Sequence, residues 1–367
     1  MEIKNETQHK VLVNRLVERS YELQATCYRL IFILLSITIG SCYSIESDCD
    51  DGGGFYWERT SIYGSGNNTA RSMTIASNGD IWIGSTNSSE VFLSTDNGDT
   101  WVQKYNGYNN LSQIRSIAVS PINGYIFAGT SRNGLLRSTD NGETWVQVLN
   151  NIDYVHYIVL DILITPIEEI YLVIVYLDYS QPPDTEERVY YSSDNGNTWI
   201  GKSNGLPEYH YDALALGRDG TLYIATGRGV YRSIDGGDNW LPPSNYNNGI
   251  SVTDVTISDD GSVFASTYKY VLKSIDKGIT WTEINNGLGD EYFFYGIIYN
   301  PINKDIFLTE EPSYSKVYRS TNFGTSWELK NNGIPEGNRI QVFAFNPNTG
   351  QMYVAISGGV YRSKNYP

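Results

Sequence analysis

The octet Ser94-Thr-Asp-Asn-Gly-Asp-Thr-Trp101 returns as Ser138-Thr-Asp-Asn-Gly-Glu-Thr-Trp145 and as Ser192-Ser-Asp-Asn-Gly-Asn-Thr-Trp199. Looser copies follow at Ser233-Ile-Asp-Gly-Gly-Asp-Asn-Trp240, Ser274-Ile-Asp-Lys-Gly-Ile-Thr-Trp281 and Ser320-Thr-Asn-Phe-Gly-Thr-Ser-Trp327. The tryptophans are spaced by 44, 54, 41, 41 and 46 residues. A period of about 40–50 residues around a turn signature marks an array of small repeated units. Within each octet the residue types fit a tight turn. Asp96, Asp140, Asp194, Asp235 and Asp276 are placed to accept turn amides. The glycine supplies a positive φ without steric cost. The indoles of Trp101, Trp145, Trp199, Trp240, Trp281 and Trp327 are large enough to fill the space between neighbouring units.

The stretch around the second octet shows what one unit contains. Ile114 to Ser120 alternates, Asn123-Gly124 turns, and Tyr125 to Thr130 is a second run. Asn133-Gly134 turns again, Leu135 to Ser138 is a third run, and Trp145 to Val148 follows the octet as a fourth. Short β-rich runs between Gly/Asn/Asp turns read as antiparallel strands. Four per repeat, with the octet between the third and fourth, make one blade of an all-β propeller. Trp57 lies 44 residues before Trp101 with no octet before it, and Val360-Tyr-Arg-Ser-Lys-Asn365 is a third strand followed by half an octet. The N-terminal strand is therefore expected to complete the last blade. The count becomes seven, and no sheet edge is left open at the junction.

Residues 1–42 read differently. An apolar stretch of 11 residues, Leu30 to Gly40, follows Arg29. It is short for a membrane span and fits the core of an export signal. Ile39-Gly40-Ser41-Cys42 reads as a lipobox with Cys42 as the lipidated residue, the alternative being an ordinary cut near Ser41. Residues 43–54, acidic and Gly-rich, read as a flexible tether, and 55–367 as the propeller. The chain is thus expected to be exported, as a lipoprotein of the cell envelope or surface or else secreted, touching membrane only through its anchor. The cysteines are Cys27, Cys42 and Cys49, so the propeller has none and rests on packing alone. A net charge of −15 argues against nucleic acid, whose phosphates call for basic neutralisation. No zinc-type Cys/His spacing, calcium loop or phosphate-binding loop is present, so neither a metal nor a cofactor is expected.

Propeller topology puts the fourth-to-first and second-to-third strand loops on one face and the octets on the other. The fourth-to-first loops are read as holding Tyr105, Tyr108, Tyr154, His156, Tyr209, His210, Tyr211, Tyr292 and Phe293. Tyrosine offers an apolar body with a polar tip, suited to a protein or a glycan; some of these rings are alternatively blade covers, with Tyr157, Tyr211 and Tyr295 the candidates for core. A second pattern lies at the starts of the inner strands. Arg339, Arg71 and Arg115 align in blades seven, one and two, and Asp161, Asp212 and Asp254 in blades three, four and five. A channel mouth polarised in this way would hold a carboxylate, sulfate or phosphate on its arginine side. The alternative is ion pairing between blades.

The Ser-x-Asp-x-Gly-x-Thr-Trp octets resemble those of Asp-box (BNR) propellers over roughly 55–367. That resemblance includes sialidases, xyloglucan hydrolases, sortilin-type receptors and photosystem II assembly-factor propellers, so it implies the fold far more narrowly than the function. A sialidase would need an arginine clamp, which Arg71, Arg115 and Arg339 would mimic, but no Arg-Ile-Pro precedes the first octet. The xyloglucan hydrolases work in a cleft between two propellers, and this chain has one. The assembly factors match in being single exported propellers that bind proteins. The expected function is non-catalytic capture of a protein or glycan partner on the aromatic loop face. The alternative is a glycoside hydrolase, sialidase-like or xyloglucanase-like, at the channel mouth.

Overall fold

The computed structural model describes residues 55–61, 69–86, 89–107, 112–149, 157–177, 185–208, 210–245, 249–289, 293–311 and 316–364. The signal, Cys42 and the tether lie outside these, as do Tyr108, Tyr154, His156, Tyr209 and Tyr292.

The first strand is β1 (Tyr56–Arg59). Blade one follows with β2 (Ala70–Ile75), β3 (Ile81–Ser85), β4 (Glu90–Ser94) and β5 (Val102–Asn106). Blade two has β6 (Ile114–Val119), β7 (Ile126–Thr130), β8 (Leu135–Ser138) and β9 (Val146–Gln147). Blade three has β10 (Tyr157–Ile164), β11 (Ile170–Leu177), β12 (Thr185–Ser192) and β13 (Ile200–Gly201). Blade four has β14 (Tyr211–Leu216), β15 (Leu222–Thr226) and β16 (Gly229–Ser233). Blade five has β17 (Val252–Ile257), β18 (Val263–Thr267), β19 (Val271–Ser274) and β20 (Thr282–Glu283). Blade six has β21 (Phe293–Asn300), β22 (Asp305–Glu311), β23 (Lys316–Ser320) and β24 (Glu328–Leu329). Blade seven has β25 (Ile340–Phe345), β26 (Met352–Ile356) and β27 (Gly359–Lys364).

Each blade is an antiparallel meander, and β1 joins blade seven as its outer strand, in the order β1-β27-β26-β25. The expected seven blades and N-terminal closure are both present. Blade four departs from the four-strand expectation: its fourth strand is reduced to a single bridge between Arg232 and Leu241. Inner strands of adjacent blades touch all the way round, blade seven to blade one included.

The core is divided into seven apolar clusters, one between each pair of adjacent blades. A second strand is therefore covered on both faces, which is why β3, β7, β15, β18 and β26 are buried at every position. Their sequences are continuous apolar or small runs rather than alternating ones. Trp57, Trp199, Trp240, Trp281 and Trp327 are buried between blades as expected, whereas Trp101 and Trp145 are only half-buried.

The octet turns repeat one hydrogen-bond pattern. In the third, Ser192 Oγ donates to Asp194 Oδ1 at 2.8 Å and accepts from Gly196 N at 2.9 Å. Thr198 gives its N–H to Asp194 Oδ1 at 2.9 Å and its hydroxyl to Oδ2 at 2.6 Å. The residue before the octet glycine also takes a positive φ, as at Asn97, Asn141, Asn195, Lys277 and Phe323. The basic residue preceding the octet serine ties blades together. Arg137, Lys273 and Arg362 each donate to the carbonyl of that positive-φ residue in the next blade, Asn195, Phe323 and Asn97.

A second inter-blade tie comes from Asn-Gly pairs. The carbonyls of Asn204, Asn286 and Asn332 accept the N–H groups of Trp240, Trp327 and Trp57 at 2.9, 2.9 and 2.8 Å. In the connection from blade six to blade seven the following Gly333 has φ +88, and a Cβ there would lie 2.0 Å from the Trp57 carbonyl oxygen. Only glycine fits so close an approach.

Candidate functional site

All seven inner strands carry an irregularity near the start, where the pairing register shifts. A bulge of this kind bends the strand and re-aims a side chain. The residues inside the bulges are Arg71, Arg115, Leu160, Asp212 with Ala213, Thr253, Tyr295 and Gln341. The expected alignment needs correcting at two places. Gln341, not Arg339, is the counterpart of Arg71 and Arg115; Arg339 lies two residues earlier, just before β25. Asp212 matches the arginines in register, whereas Asp161 and Asp254 sit one residue further along, at the close of their bulges. A bulge adds a residue that no apolar pattern announces, so an alignment drawn without it slips.

Asp161 and Asp254 act as clasps between blades. Asp161 accepts from Ile162 N at 2.9 Å and from Leu214 N of blade four at 2.7 Å. Asp254 accepts from Val255 N at 2.8 Å and from Ile297 N of blade six at 2.9 Å. The same position in blades one and two is serine, and the bond runs the other way. Ser72 and Ser116 donate to the carbonyls of Ile114 and Val159. The expected ion pairing between blades is thus replaced, at these aspartates, by carboxylate-to-amide bonds.

Burial dominates the acid side of the mouth. It pushes Asp254 up to about 7, against its two amide bonds and with help from the charges of Asp161 and Asp212. Asp161 is raised for the same first reason. Asp212 is reached by solvent yet surrounded by protein. Its carboxyl is pushed up to about 6, burial outweighing the nearby His210 while Asp161 adds to the rise.

The basic side is arranged differently. Arg71 donates to Gln341 Oε1 at 2.7 Å. Arg115 is half-buried, and its buried Nε finds no hydrogen-bond acceptor among the described residues. Burial, and then the like charge of Arg339, lower its pKa from the ordinary guanidinium value. Arg339 is exposed and lies over the Tyr295 ring, 5.2 Å from its centre.

Beside it, Tyr268 meets Phe293 at 5.9 Å and 67° and Tyr295 at 6.1 Å and 62° between ring planes. These three rings are 41 %, 50 % and 40 % exposed. Tyr295, expected to be partly core, is thus on the surface. Tyr268 comes from the turn after β18 and was not singled out by the sequence; its neighbour in the fold, Phe293, was.

Other expected loop aromatics are structural. Tyr211 is buried, its hydroxyl donating to the Pro207 carbonyl at 2.5 Å. Tyr157 is buried and donates to Leu149 O. Tyr105 belongs to strand β5 and packs on Trp145 at 5.7 Å. His210 is exposed, immediately before β14.

The octet face holds an open groove of about 310 Å³ lined by Arg218, Asp219, Tyr223, Asp259, Ile275 and Lys277. Its cations are engaged: Arg218 pairs with Asp259 at 2.5 Å and Lys277 with Asp219 at 2.7 Å. Among the described residues no group of three or more His, Cys, Asp or Glu side chains is placed to hold a metal ion.

No known protein-family model matches the sequence, and no curated protein is similar to it. Solved structures match the fold. One is YCF48 bound to a D1 peptide, 14% identical, covering 86% of this chain and 98% of that one, with a TM-score of 0.65. A catalytically inactive virginiamycin B lyase from Staphylococcus aureus with quinupristin is 15% identical over 85% of this chain and 99% of its own, at 0.66. The GH74 xyloglucanase from Xanthomonas campestris is 14% identical over 84% of this chain and 53% of its own, at 0.61. The chain is a seven-bladed β-propeller. Binding proteins and enzymes share that fold, and at these identities the likeness extends to architecture alone.

Proposed function

We propose that this protein is a non-catalytic, exported propeller, anchored through Cys42, that captures a protein or glycan partner on its loop face. The observation that carries this reading is the exposed cluster Tyr268, Phe293 and Tyr295 next to Arg339. Exposed rings grouped at one place, beside a guanidinium, have the composition of an interaction hot spot. That YCF48, of the same fold, is bound to a peptide supports a protein as partner. The test is a Tyr268→Ala/Phe293→Ala/Tyr295→Ala variant of the full chain, compared with wild type by cross-linking in its native envelope fraction. Partner cross-links are expected to disappear while the thermal melt moves little. Cross-links that persist unchanged would place the contact elsewhere.

A second reading has one observation in its favour. A carboxyl raised to about 6 and open to solvent, as Asp212 is, has the proton affinity and access that a general acid for glycoside hydrolysis requires. Its neighbours Asp161 and Asp254 have amide bonds to keep, so neither is a ready second carboxylate. This reading predicts turnover of a sialoside, xyloglucan or β-glucan reporter, lost in Asp212→Asn. We expect none.

A further inference from the structure

Arg115 is the bulge residue of the inner strand of blade two, and the residues at the same position on either side do not satisfy it. In blade one that position is Arg71, which donates to Gln341 Oε1 of blade seven at 2.7 Å. In blade three it is Leu160, whose side chain has no acceptor. Arg115 therefore stands between a second cation and an apolar residue. Its Nε is buried and finds no acceptor among the described residues. The side chain as a whole is half-buried, so solvent reaches its terminal nitrogens, and no described residue forms an ion pair with them.

The other half-buried cations that follow the third strands have acceptors. Arg137 has the Asn195 carbonyl, Lys273 the Phe323 carbonyl, Arg319 the Asp305 carboxylate and Arg362 the Glu58 carboxylate. Around Arg115 the electrostatics run the other way. Burial, and then the like charge of Arg339, act against its charged form. The carboxylates of the mouth are occupied elsewhere: Asp161 and Asp254 hold amides of blades four and six, and the charges of Asp161 and Asp212 are felt at Asp254. A guanidinium withdrawn from water with neither acceptor nor counter-ion destabilises the fold that carries it. At the mouth of a channel, with its terminal nitrogens accessible, it calls for an anion from outside.

That anion is small and singly charged. Three carboxylates share the mouth, and the net charge of −15 adds to their field, so a ligand with more negative charge is repelled. A planar carboxylate matches the guanidinium edge and accepts two parallel N–H bonds. Arg71 keeps Gln341 and Arg339 keeps Tyr295, so one guanidinium, and not a clamp of three, does the holding.

We infer that the channel mouth at blade two is a binding site for a single carboxylate group, held by the terminal nitrogens of Arg115. The carboxylate belongs to a small free acid or to the end of a peptide, and two probes separate these sources. The site is apart from the ring cluster and stands whether or not the rings hold a partner.

The experiment is thermal unfolding of the full chain at pH 7 in a zwitterionic buffer, with acetate and N-acetylglycylglycine as probes and chloride and sulfate as controls. Wild type should gain about 1–3 °C, saturably, with the carboxylates. Saturation at lower concentration by the dipeptide supports a chain end, and by acetate a free acid. Arg115→Met should melt about 1–3 °C above probe-free wild type, because the uncompensated charge is gone, and should show no saturable response. Arg115→Lys keeps the charge without the planar fork and should bind acetate about tenfold more weakly. An Arg115→Met melt below that of wild type would give the side chain a structural role and overturn the inference. A carboxylate response that survives in Arg115→Met, or that chloride or sulfate matches in wild type, would overturn it too. Tyr268→Ala/Phe293→Ala should keep the response; loss of it there would move the carboxylate to the rings. Should Arg115→Met fail to fold, wild type alone decides. Its Arg115 Nε–H signal in nitrogen NMR should shift along one saturating curve with acetate, and a stationary signal would remove the site.

Discussion

Asp194 in an octet turn and Asp254 at the channel mouth each accept two backbone amides, yet they are driven in opposite directions. Asp194 is held down at about 2: what burial it has is outweighed by the hydroxyl and amide of Thr198 and the hydroxyl of Ser192. Asp254 is held up at about 7, because protein encloses it and two more carboxylates, Asp161 and Asp212, lie near. The octet face is therefore a place where negative charge is comfortable, and the mouth one where it is not. Repetition explains the first: one turn, solved once, is copied round the ring with its donors. The mouth is made of bulge residues that change round the ring, only blades one and two sharing an arginine, and its charges are not matched to donors in the same way.

The contrast can be broken from either side. The largest effect is expected from Asp194→Ala, which removes the acceptor for Asn197 N, Thr198 N and two hydroxyls. Water replaces part of what is lost at this surface turn, so the expected cost is about 1–2 kcal/mol at pH 7 by denaturant unfolding. An unchanged midpoint would mean that the turn holds without its acid.

Next comes the pH profile. A carboxyl with a raised folded pKa stabilises fully below the unfolded value of about 4, and that contribution is lost as pH rises through the folded value. Asp212 at about 6 and Asp254 at about 7 thus predict a melting temperature that climbs as pH falls from 8 to 5. The octet aspartates, lowered to about 2 at Asp140, Asp194, Asp235 and Asp276, act with the opposite sign. Their contribution is present above about 4 and is lost as pH falls toward 2. Asp254→Asn should flatten the upper limb and leave the lower one, at a cost of about 1 kcal/mol for one amide bond lost. A wild-type melt that falls steadily from pH 8 to 5 would contradict the assignment.

The smallest effect is expected from Asp212→Asn. Solvent reaches this side chain and screens its charge, so the variant should be only slightly more stable than wild type at pH 8 and no more stable at pH 5. Removing its charge should nevertheless lower the titration midpoint of Asp254, read by carboxyl-carbon NMR. A stationary midpoint would show that the two do not sense each other.

The blade count, the closure by Trp57 and the position of the octets were all legible because a turn with Asp, Gly and Trp at fixed offsets has few other uses. The Arg/Lys before the octet serine and the Asn-Gly pairs facing Trp57, Trp240 and Trp327 were equally present in the sequence. Their role is not legible within one repeat, because each makes sense only against the next blade. The mouth was half legible. Arg71, Arg115, Asp161, Asp212 and Asp254 do gather at the strand starts, but the bulges shifted the register, hiding that Gln341 is the partner of Arg71 and that Asp161 and Asp254 clasp amides. Tyr295 departs from the expected core position for a related reason: as a bulge residue it faces away from the core that its neighbour Phe294 fills. Tyr268 stood alone in its turn and gains meaning only from rings 25 and 27 positions further along the chain.

Thr60 and Val360, 300 positions apart, share a hydrogen bond beside the pairing of β1 with β27. The first strand of the ring to leave the ribosome must therefore wait, its indole uncovered, until nearly every other part of the ring has been made. Contacts between such distant parts of a chain form late and slowly. Once formed, this one makes the ring a latch: whatever peels Tyr56 to Arg59 away uncovers the flank of blade seven and, through it, the seams on either side.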